Sequence, residues 1–182
     1  MAARVQPLRA SELTPDQKRI HDAIAGPRDG SVGGPFAIWL RIPEIAERAN
    51  HFSDRIRSKS AIERRLFELM VIAVARAWSA QYEWLAHARQ GEEAGLSHAV
   101  VEAIRQRRTP VFEREDERVV FDTVTELSVT RTLSQATYDR ALAAFGQDLL
   151  IELITGAGFY TMIAMMLNAF DVPAPGGARP LD

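Results

Sequence analysis

One acidic residue interrupts the most apolar stretch of this sequence. Between Leu66 and Ala75 nine of ten residues are apolar, and the exception is Glu68. Apolar residues on every side predict a helix that is buried all round. Because desolvating a carboxylate is costly, Glu68 needs either a cationic partner such as Arg64, Arg65 or Arg76, or a raised pKa of the kind that proton-transfer groups have. The sequence leaves both interpretations open.

A glutamate and a histidine follow at helical spacing. Glu83 and His87 are four residues apart, so on a helix they lie on the same face and within reach of each other. A carboxylate beside an imidazole favours the protonated ring and fixes its orientation, as in a general acid or base. Trp84 lies between them in the sequence and offers a flat apolar wall. A Glu–His pair with no function fits the same spacing.

The same groups form the alternative of a metal site. Glu68, Glu83, His87 and His51 make a set of oxygen and nitrogen ligands. The sequence has four histidines, but it lacks the His-Glu-x-x-His motif and the paired Glu-x-x-His motifs of di-iron helical bundles. A metal-dependent enzyme stays open as the alternative with less support, and we predict a site that needs neither a metal nor an organic cofactor.

Composition excludes several classes of protein. The 182 residues include no cysteine, which excludes disulfides, thiolate nucleophiles and cysteine-based zinc sites and fits a reducing cytoplasm. The net charge of −2 provides no overall positive field for nucleic acid or an anionic membrane. The basic run at 105–108 lacks interleaved aromatic residues and is typical of a solvated helix end. The first residues lack the apolar segment of a secretory signal.

Helical periodicity predicts the elements that must position these residues. The Thr14-Pro15-Asp16 segment starts a helix to Ala25, and six of the ten residues from 26 to 35 are glycine or proline and predict a loop. We expect one all-α domain over residues 1–182, with about seven to eight helices. After a short apolar segment over 36–40, the remaining helices are predicted from Pro43 to Arg57, Leu66 to Ala77, Ala80 to Gly95, Ser97 to the basic run, Phe112 to Val129, Ser134 to Phe145 and Gln147 to Ala169.

The last predicted helix contains an uncharged stretch from Leu153 to Phe170. Its length reaches the usual threshold of about 18 apolar residues for a membrane-spanning helix. Several polar residues interrupt it, and charges bound it at Glu152 and Asp171. We therefore expect a core helix, which subunit contacts would help to bury. The tail from Val172 contains three prolines and two glycines and is predicted to be loose.

Three of these segments together resemble the core motif of the carboxymuconolactone decarboxylase family. That motif has a glutamate in a buried helix, then a Glu-Trp-x-x-His segment, then an Ala-Gly-Leu turn. The matching positions here are Glu68, the segment Glu83 to His87, and the turn at 94–96, all within a core motif at 60–107. Flanking segments at 34–44 and 158–170 resemble longer, decarboxylase-like members, so that the resemblance covers residues 14 to 175.

The resemblance implies an AhpD-like helical bundle that assembles as a homotrimer or homohexamer, with its site near the subunit contacts. In the peroxidase-reducing branch of this family a Cys-x-x-Cys pair precedes the histidine. The matching positions in this chain are Ala80 and Glu83. Thiol peroxidase and disulfide reductase activities are therefore excluded by the chemistry of the side chains.

The decarboxylase branch implies a carboxy-lyase that acts on a carboxylated γ-lactone from aromatic catabolism. The lactone would lose CO2, and the resulting dienolate carbon would be protonated by a general acid. The resemblance implies His87 as the general acid, Glu83 as its orienting partner, and Glu68 as a second proton carrier or a brace. A non-catalytic oligomeric ligand-binding protein remains the other alternative. The predicted contacts of the small-molecule substrate are His51, Arg55, Tyr82 and Trp84.

Overall fold

The computed structural model describes residues 3–26 and 30–182, and all regular structure in these ranges is helical, as predicted. Short 3-10 turns include Ala10–Glu12 and Pro175–Gly177. The α-helices described are α1 (Pro15–Ala25), α2 (Pro35–Trp39), α3 (Pro43–Ser58), α4 (Arg64–Ala77), α5 (Gln81–Glu93), α6 (His98–Arg105), α7 (Glu115–Thr130) and α8 (Gln135–Ala169).

The start of α1 follows the predicted capping pattern. The Thr14 hydroxyl accepts a hydrogen bond from the Gln17 backbone N–H at 3.3 Å, and the Gln17 side chain accepts one from the Thr14 N–H at 3.0 Å. This reciprocal arrangement satisfies two backbone donors that no helical carbonyl reaches. The predicted loop over 26–35 includes residues 27–29, which lie outside the described residues. Its end differs from the prediction, because Pro35 is the first residue of α2, where a proline fits without loss of a hydrogen bond.

The described residues divide into two compact units. The first unit contains Met1–Ser60 with Ala169–Val172, and in it α1 and α2 both pack against α3. Its N-terminal segment is held at Arg4, whose Nε lies 2.7 Å from an Asp171 carboxylate oxygen. The second unit contains Ala61–Asn168 with Pro173–Asp182. That residues 1–182 form a single domain stays a prediction.

Helix α4 is the centre of the second unit. Its residues from Arg65 to Ala75 are all buried, which confirms the expectation of a helix covered on every side. It packs most extensively against α5 and α7 and also contacts α6. Glu68, in the second turn of this helix, is therefore surrounded by protein on every side.

A buried arginine links α4 to the start of α7. Arg65 is 3% exposed and reaches Glu117 at 2.5 Å and Asp116 at 2.7 Å. Helix α7 begins at Glu115, later than the predicted start at Phe112. The acidic side chains of its first turn are stabilised there by the positive end of the helix dipole. Phe112 lies in the loop before α7. Its side chain is buried, and its ring centroid lies 5.4 Å from that of Phe121.

Helix α8 is interrupted where the sequence predicted the junction of two helices. Gly146 has φ 71° and ψ 173°, a conformation outside the helical region. The most apolar window of α8 has a mean hydropathy of 1.7 and is 44% buried. By length and composition alone this helix would suffice to cross a membrane, but the core helix of a soluble protein passes the same test.

Gly146 provides a test of this interruption. Its backbone conformation is essentially restricted to glycine, so we expect Gly146→Ala to lower the free energy of unfolding by about 1–3 kcal/mol. Gly158 is the matched control, because it is helical and a Cβ there would meet nothing within 4 Å. Gly158→Ala should stabilise the chain by up to about 1 kcal/mol. Urea denaturation at matched oligomeric state measures both, and an unchanged Gly146→Ala variant would contradict the assigned conformation.

The C-terminal tail is not loose, and that prediction was wrong. Ala174 is 4% and Leu181 6% exposed. The Leu181 backbone N–H donates to the Gln81 side chain at 2.9 Å, and the Gln81 amide donates to Asp182 at 2.9 Å. The prolines and glycines of the tail exclude an α-helix. They do not prevent the tail from packing against the start of α5.

Candidate functional site

Glu68, His87 and Glu83 meet inside the second unit. His87 Nδ1 lies 2.6 Å from Glu68 Oε2, and His87 Nε2 lies 3.3 Å from Glu83 Oε2. The imidazole is thus held between two carboxylates, one on each ring nitrogen. The sequence predicted Glu83 as the partner that orients His87. The shorter contact comes from Glu68, because α4 and α5 pack face to face at this level.

Arg64 completes a row of alternating charges. Its Nη2 lies 2.5 Å from Glu68 Oε1, one helical turn away on α4. The contact is a close ion pair without hydrogen-bond geometry, since Oε1 has no hydrogen-bond partner. This pairing confirms one of the two interpretations of Glu68. The other two candidate partners bind elsewhere: Arg65 pairs with the acidic start of α7, and Arg76 donates to the Ser79 hydroxyl.

Gly91 lies one turn beyond His87 on the same face of α5, beside Leu96 and Glu68. A Cβ added at Gly91 would lie 2.8 Å from Leu96 Cδ1, so the end of the Leu96 side chain would have to shift. The same Cβ would lie 3.5 Å from the Glu68 Cβ, which is ordinary van der Waals contact. The glycine therefore makes room for Leu96 beside this face of α5.

Sequence reasoning missed an aromatic neighbour of the histidine. The Tyr160 ring from α8 lies edge-on to His87, with ring centroids 5.2 Å apart and an interplanar angle of 83°. Phe67 and Phe159 pack on the same tyrosine at 5.8 Å. Tyr160 is 2% exposed, so these rings form the apolar side of the site. The uncharged character of α8 was the only sequence signal for it.

The electrostatics of the site favour a protonated His87. Burial is the largest single effect and lowers the pKa of this imidazole. The hydrogen bonds and negative charges of Glu68 and Glu83 together outweigh burial, so the pKa of His87 is raised above its ordinary value. The arrangement therefore favours the imidazolium form of His87 between the two carboxylates, in a position shielded from solvent.

The raised pKa of His87 gives the stability of the protein a defined pH dependence. Since the folded state binds this proton more tightly than the unfolded chain, the stabilisation is complete below the unfolded pKa of about 6.5. It is lost as the pH rises from there through the raised folded pKa. We expect the free energy of unfolding to fall over this range by at most about 1.4 kcal/mol per pH unit.

Urea denaturation between pH 6 and 9 measures this dependence. His98→Gln is the matched control, because His98 is 82% exposed and pairs with Glu92 at the surface. This variant should show the same fall in stability as the original chain. A stability that is flat or rises above pH 6.5 would show that His87 is neutral in the folded protein.

Solvent exposure increases from Glu68 to Glu83. The side chains of Glu68, His87 and Glu83 are 0%, 4% and 8% exposed, whereas Arg64, at the other end of the row, is 47% exposed. Glu83 is therefore the most exposed of the three buried groups, and the row also reaches solvent through Arg64.

Two further predicted site residues are neighbours of Glu83 on α5. Tyr82 is half-buried, and burial raises the pKa of its hydroxyl, with a further contribution from the Glu83 charge. Trp84 is 3% exposed and lies in the core of its unit.

The two remaining predicted substrate contacts lie in the first unit. His51 and Arg55 are both exposed on α3. Arg55 donates a hydrogen bond to the Lys59 carbonyl at 2.8 Å. The structure brings Glu68, His87 and Glu83 together within one unit, whereas the role of His51 and Arg55 stays a prediction.

The arrangement does not support the metal-site alternative. Within residues 3–26 and 30–182, no three histidine or acidic side chains converge so that they could hold a metal ion. Both ring nitrogens of His87 face carboxylate oxygens. A metal on either nitrogen would have to displace one of these contacts.

Solved structures of similar fold confirm the AhpD-like bundle. An AhpD-core, peroxidase-related protein from Ralstonia eutropha JMP134 matches with a TM-score of 0.75 at 15% identity, covering 94% of this chain and 92% of that chain. The debrominase Bmp8 matches with a TM-score of 0.75 at 14% identity, covering 97% and 96%. A peroxidase-related protein from Silicibacter sp. TM1040 matches with a TM-score of 0.71 at 15% identity, covering 97% and 92%. At these identities the likeness concerns the fold.

Sequence comparisons add the family to this fold. No curated protein matches the chain. The model of the Carboxymuconolactone decarboxylase family matches residues 43–117. This range contains Glu68, Glu83 and His87, so the resemblance noted for their spacing is confirmed.

Proposed function

We propose that the chain is a thiol-independent acid–base lyase, because its residues 43–117 match the model of the carboxymuconolactone decarboxylase family. Its substrate is a carboxylated γ-lactone from aromatic catabolism, and its reaction is loss of CO2 followed by protonation of carbon. The observation that carries the proposal is the His87 imidazole, which lies between Glu68 at 2.6 Å and Glu83 at 3.3 Å.

The roles of the three residues follow from their order in the row. Glu68 is fully buried and ion-paired with Arg64, so it acts as the brace that fixes His87 through Nδ1. His87 stores the proton. Glu83 faces Nε2 and is the most exposed of the three residues, and we assign it as the group that passes the proton to the substrate. The resemblance implied His87 as the general acid, Glu83 as its orienting partner and Glu68 as a second proton carrier or a brace. We therefore keep Glu68 as the brace and move the donation of the proton to carbon from His87 to Glu83.

The reaction then balances without a redox partner. The bond between the ring carbon and the substrate carboxylate breaks, CO2 leaves, and the electron pair passes into the lactone as a dienolate. Glu83 donates a proton to the dienolate carbon and receives one from His87 Nε2, and solvent returns a proton to His87. The lactone carbonyl accepts the electrons, so the proposal includes no organic cofactor.

The substrate would reach the row from the side of Glu83. Tyr82 is the half-buried neighbour of Glu83 and the first candidate to contact the lactone. That His51 and Arg55, both exposed on α3, contact the substrate stays a separate prediction. Trp84 would act from the core by supporting the position of Glu83.

Turnover of 4-carboxymuconolactone is the experiment that tests this function. The purified chain should remove the ultraviolet absorbance of the lactone and release one CO2 per molecule consumed. Glu83→Gln should abolish this turnover while retaining the fold, because the amide cannot pass on a proton. Absence of turnover by the original chain across a panel of carboxylated lactones would contradict the proposal.

A second candidate function is supported by the burial of the row. With side-chain exposures of 0%, 4% and 8%, the charges satisfy one another and would also suit a non-catalytic, oligomeric ligand-binding protein. The two functions differ in one result. A ligand-binding protein would bind the lactone without consuming it. The lactone would then remain intact with the original chain and with Glu83→Gln alike.

We further propose that the chain self-associates through an exposed apolar stripe on α8. Four large apolar side chains are exposed on one stripe of the helix, at 54%, 37%, 42% and 51%. Exposed apolar stripes of this kind are typical of subunit contacts. A homotrimer or homohexamer in the cytoplasm would bury this stripe. Its members are Ile151, Ile154, Met162 and Met165.

A lysine on this stripe should reduce the mass of the assembly. We expect Met165→Lys to shift sedimentation towards a smaller species, because an ammonium buried at a subunit contact is costly to desolvate. Val111→Lys is the matched control, since Val111 is 84% exposed outside α8. Equal sedimentation of the two variants would exclude this face as the subunit contact.

A further inference from the structure

Three arginines line one cleft of the second unit, away from the Glu68–His87–Glu83 row. The cleft has a volume of about 280 Å³, and its lining includes Arg76 from α4 with Arg107 and Arg108, which follow α6. No aspartate or glutamate belongs to the lining. Phe121 and Ile104 provide apolar surface, so the cleft combines a cationic and an apolar side.

These arginines have no acidic partner among the described residues. Arg76 and Arg107 both donate to the Ser79 hydroxyl, at 3.3 and 3.0 Å, and neither forms an ion pair with a described carboxylate. Arg76 Nε is buried and has no hydrogen-bond partner. Buried hydrogen-bond donors nearly always have an acceptor in folded proteins, so the unpartnered Arg76 Nε–H indicates a missing acceptor.

Two carboxylates on the helices that carry the cleft are occupied elsewhere. Glu102 accepts two hydrogen bonds from Arg105, both at 2.7 Å. Glu126, on α7, accepts a hydrogen bond from the Ser134 backbone N–H at 2.6 Å. The charge of the arginines is therefore not neutralised by the helices that carry the cleft.

Positive charges lie close together around the cleft. Burial lowers the pKa of Arg76, and the positive charges of Arg107 and Arg105 lower it further. Arg107 has φ 56°, a left-handed conformation that is unusual for a residue other than glycine. The turn is held by hydrogen bonds from the Arg107 and Arg108 N–H groups to the α6 carbonyls of Ile104 and Ala103 at 3.0 and 2.9 Å. A bound anion would relieve the repulsion that this turn creates.

We propose that this cleft binds a small organic anion, whose carboxylate or phosphate is held by Arg76, Arg107 and Arg108 and whose apolar body lies against Phe121 and Ile104. Guanidinium groups form paired, charge-assisted hydrogen bonds with both kinds of anion. The volume of about 280 Å³ is at the small end of ligand pockets.

The site is distinct from the His87 site. None of the residues Glu68, Glu83, His87 or Tyr160 lines the cleft. Arg76 lies eight residues beyond Glu68 on α4, which is about 12 Å along the helix axis. The inference therefore stands independently of the proposed lyase function.

Isothermal titration calorimetry of the full chain tests the proposal with three probes: phenyl phosphate, benzoate and inorganic phosphate. One of the two aromatic anions should bind at one site per chain and more tightly than inorganic phosphate, and the tighter of the two identifies the anionic group. Arg107→Ala and Arg108→Ala, which alter exposed residues, should each weaken this binding by roughly ten- to a hundredfold.

Two control variants make the test specific. Arg118→Ala removes the same charge from α7, where Arg118 is 43% exposed and pairs with Glu115 outside the cleft. It should leave the Kd unchanged, as should His87→Gln. The proposal is overturned if no probe binds, if inorganic phosphate binds as tightly as both aromatic anions, or if Arg107→Ala and Arg118→Ala weaken binding equally. Loss of binding in His87→Gln alone would place the anion at the buried site and would also overturn it.

Discussion

Replacing His87 with glutamine is expected to reduce kcat on 4-carboxymuconolactone by about 100-fold or more, the usual contribution of a positioned acid–base group being about 10²–10⁴. Glutamine keeps hydrogen-bonding capacity between the two carboxylates but cannot store the proton. KM should change much less than kcat, because His87 is 3% exposed and acts through Glu83 rather than by holding the substrate.

The matched control for this prediction is His98→Gln. His98 is 82% exposed and pairs with Glu92 at 2.7 Å, so its loss should leave both kcat and KM unchanged. Circular dichroism of both variants would verify that each retains its helices. Full turnover by a folded His87→Gln variant would remove His87 from the mechanism.

Replacing Arg65 with methionine is expected to lower the free energy of unfolding by about 3–5 kcal/mol, the range found when one partner of a buried ion pair is removed. Arg65 and Glu117 are 3% and 5% exposed, so the variant would leave the Glu117 carboxylate buried without its cation. The burial of Arg65 against Asp116 and Glu117 is also what joins α4 to the start of α7.

A double variant separates this cause from a simple loss of packing. Arg65→Met combined with Glu117→Met should recover most of the lost stability, because replacing a whole buried ion pair with apolar residues is often nearly neutral. Arg89→Ala is the exposed control, at 73% exposure beside Glu93, and should change the stability by no more than about 0.5 kcal/mol. Urea denaturation measures the free energy of unfolding of all three variants. A loss below about 1 kcal/mol in Arg65→Met would show that the buried ion pair contributes little to stability.

The spacing of residues along the chain was enough to predict much of the fold. Apolar periodicity predicted α4 as a helix buried on every side, and Glu68 as its single polar exception. The cap at Thr14 predicted the start of α1, and a glycine between two helical patterns predicted the break at Gly146. Each of these features depends on interactions within one or two helical turns, which a sequence records directly.

The parts of the site that could not be predicted depend on contacts between distant residues. The i, i+4 spacing brought Glu83 to His87, but the shorter contact comes from Glu68, which is 19 residues away in the sequence. Tyr160 reaches the same ring from α8. The basic run at 105–108 was predicted to be a solvated helix end. Arg107 and Arg108 are indeed exposed, yet together with Arg76 they line a cleft that only the packing of α4, α6 and α7 creates.

The proposed mechanism requires a protonated His87, and NMR of its ring nitrogens distinguishes this state from the neutral ring. With nitrogen-15 in the four histidines, His87→Gln assigns the His87 signals by their loss. Both His87 ring nitrogens should have imidazolium shifts at pH 7, and they should titrate at a higher pH than an ordinary histidine, whose pKa is about 6.5. A neutral His87 ring at pH 7, with one protonated and one unprotonated nitrogen, would contradict the proposed mechanism.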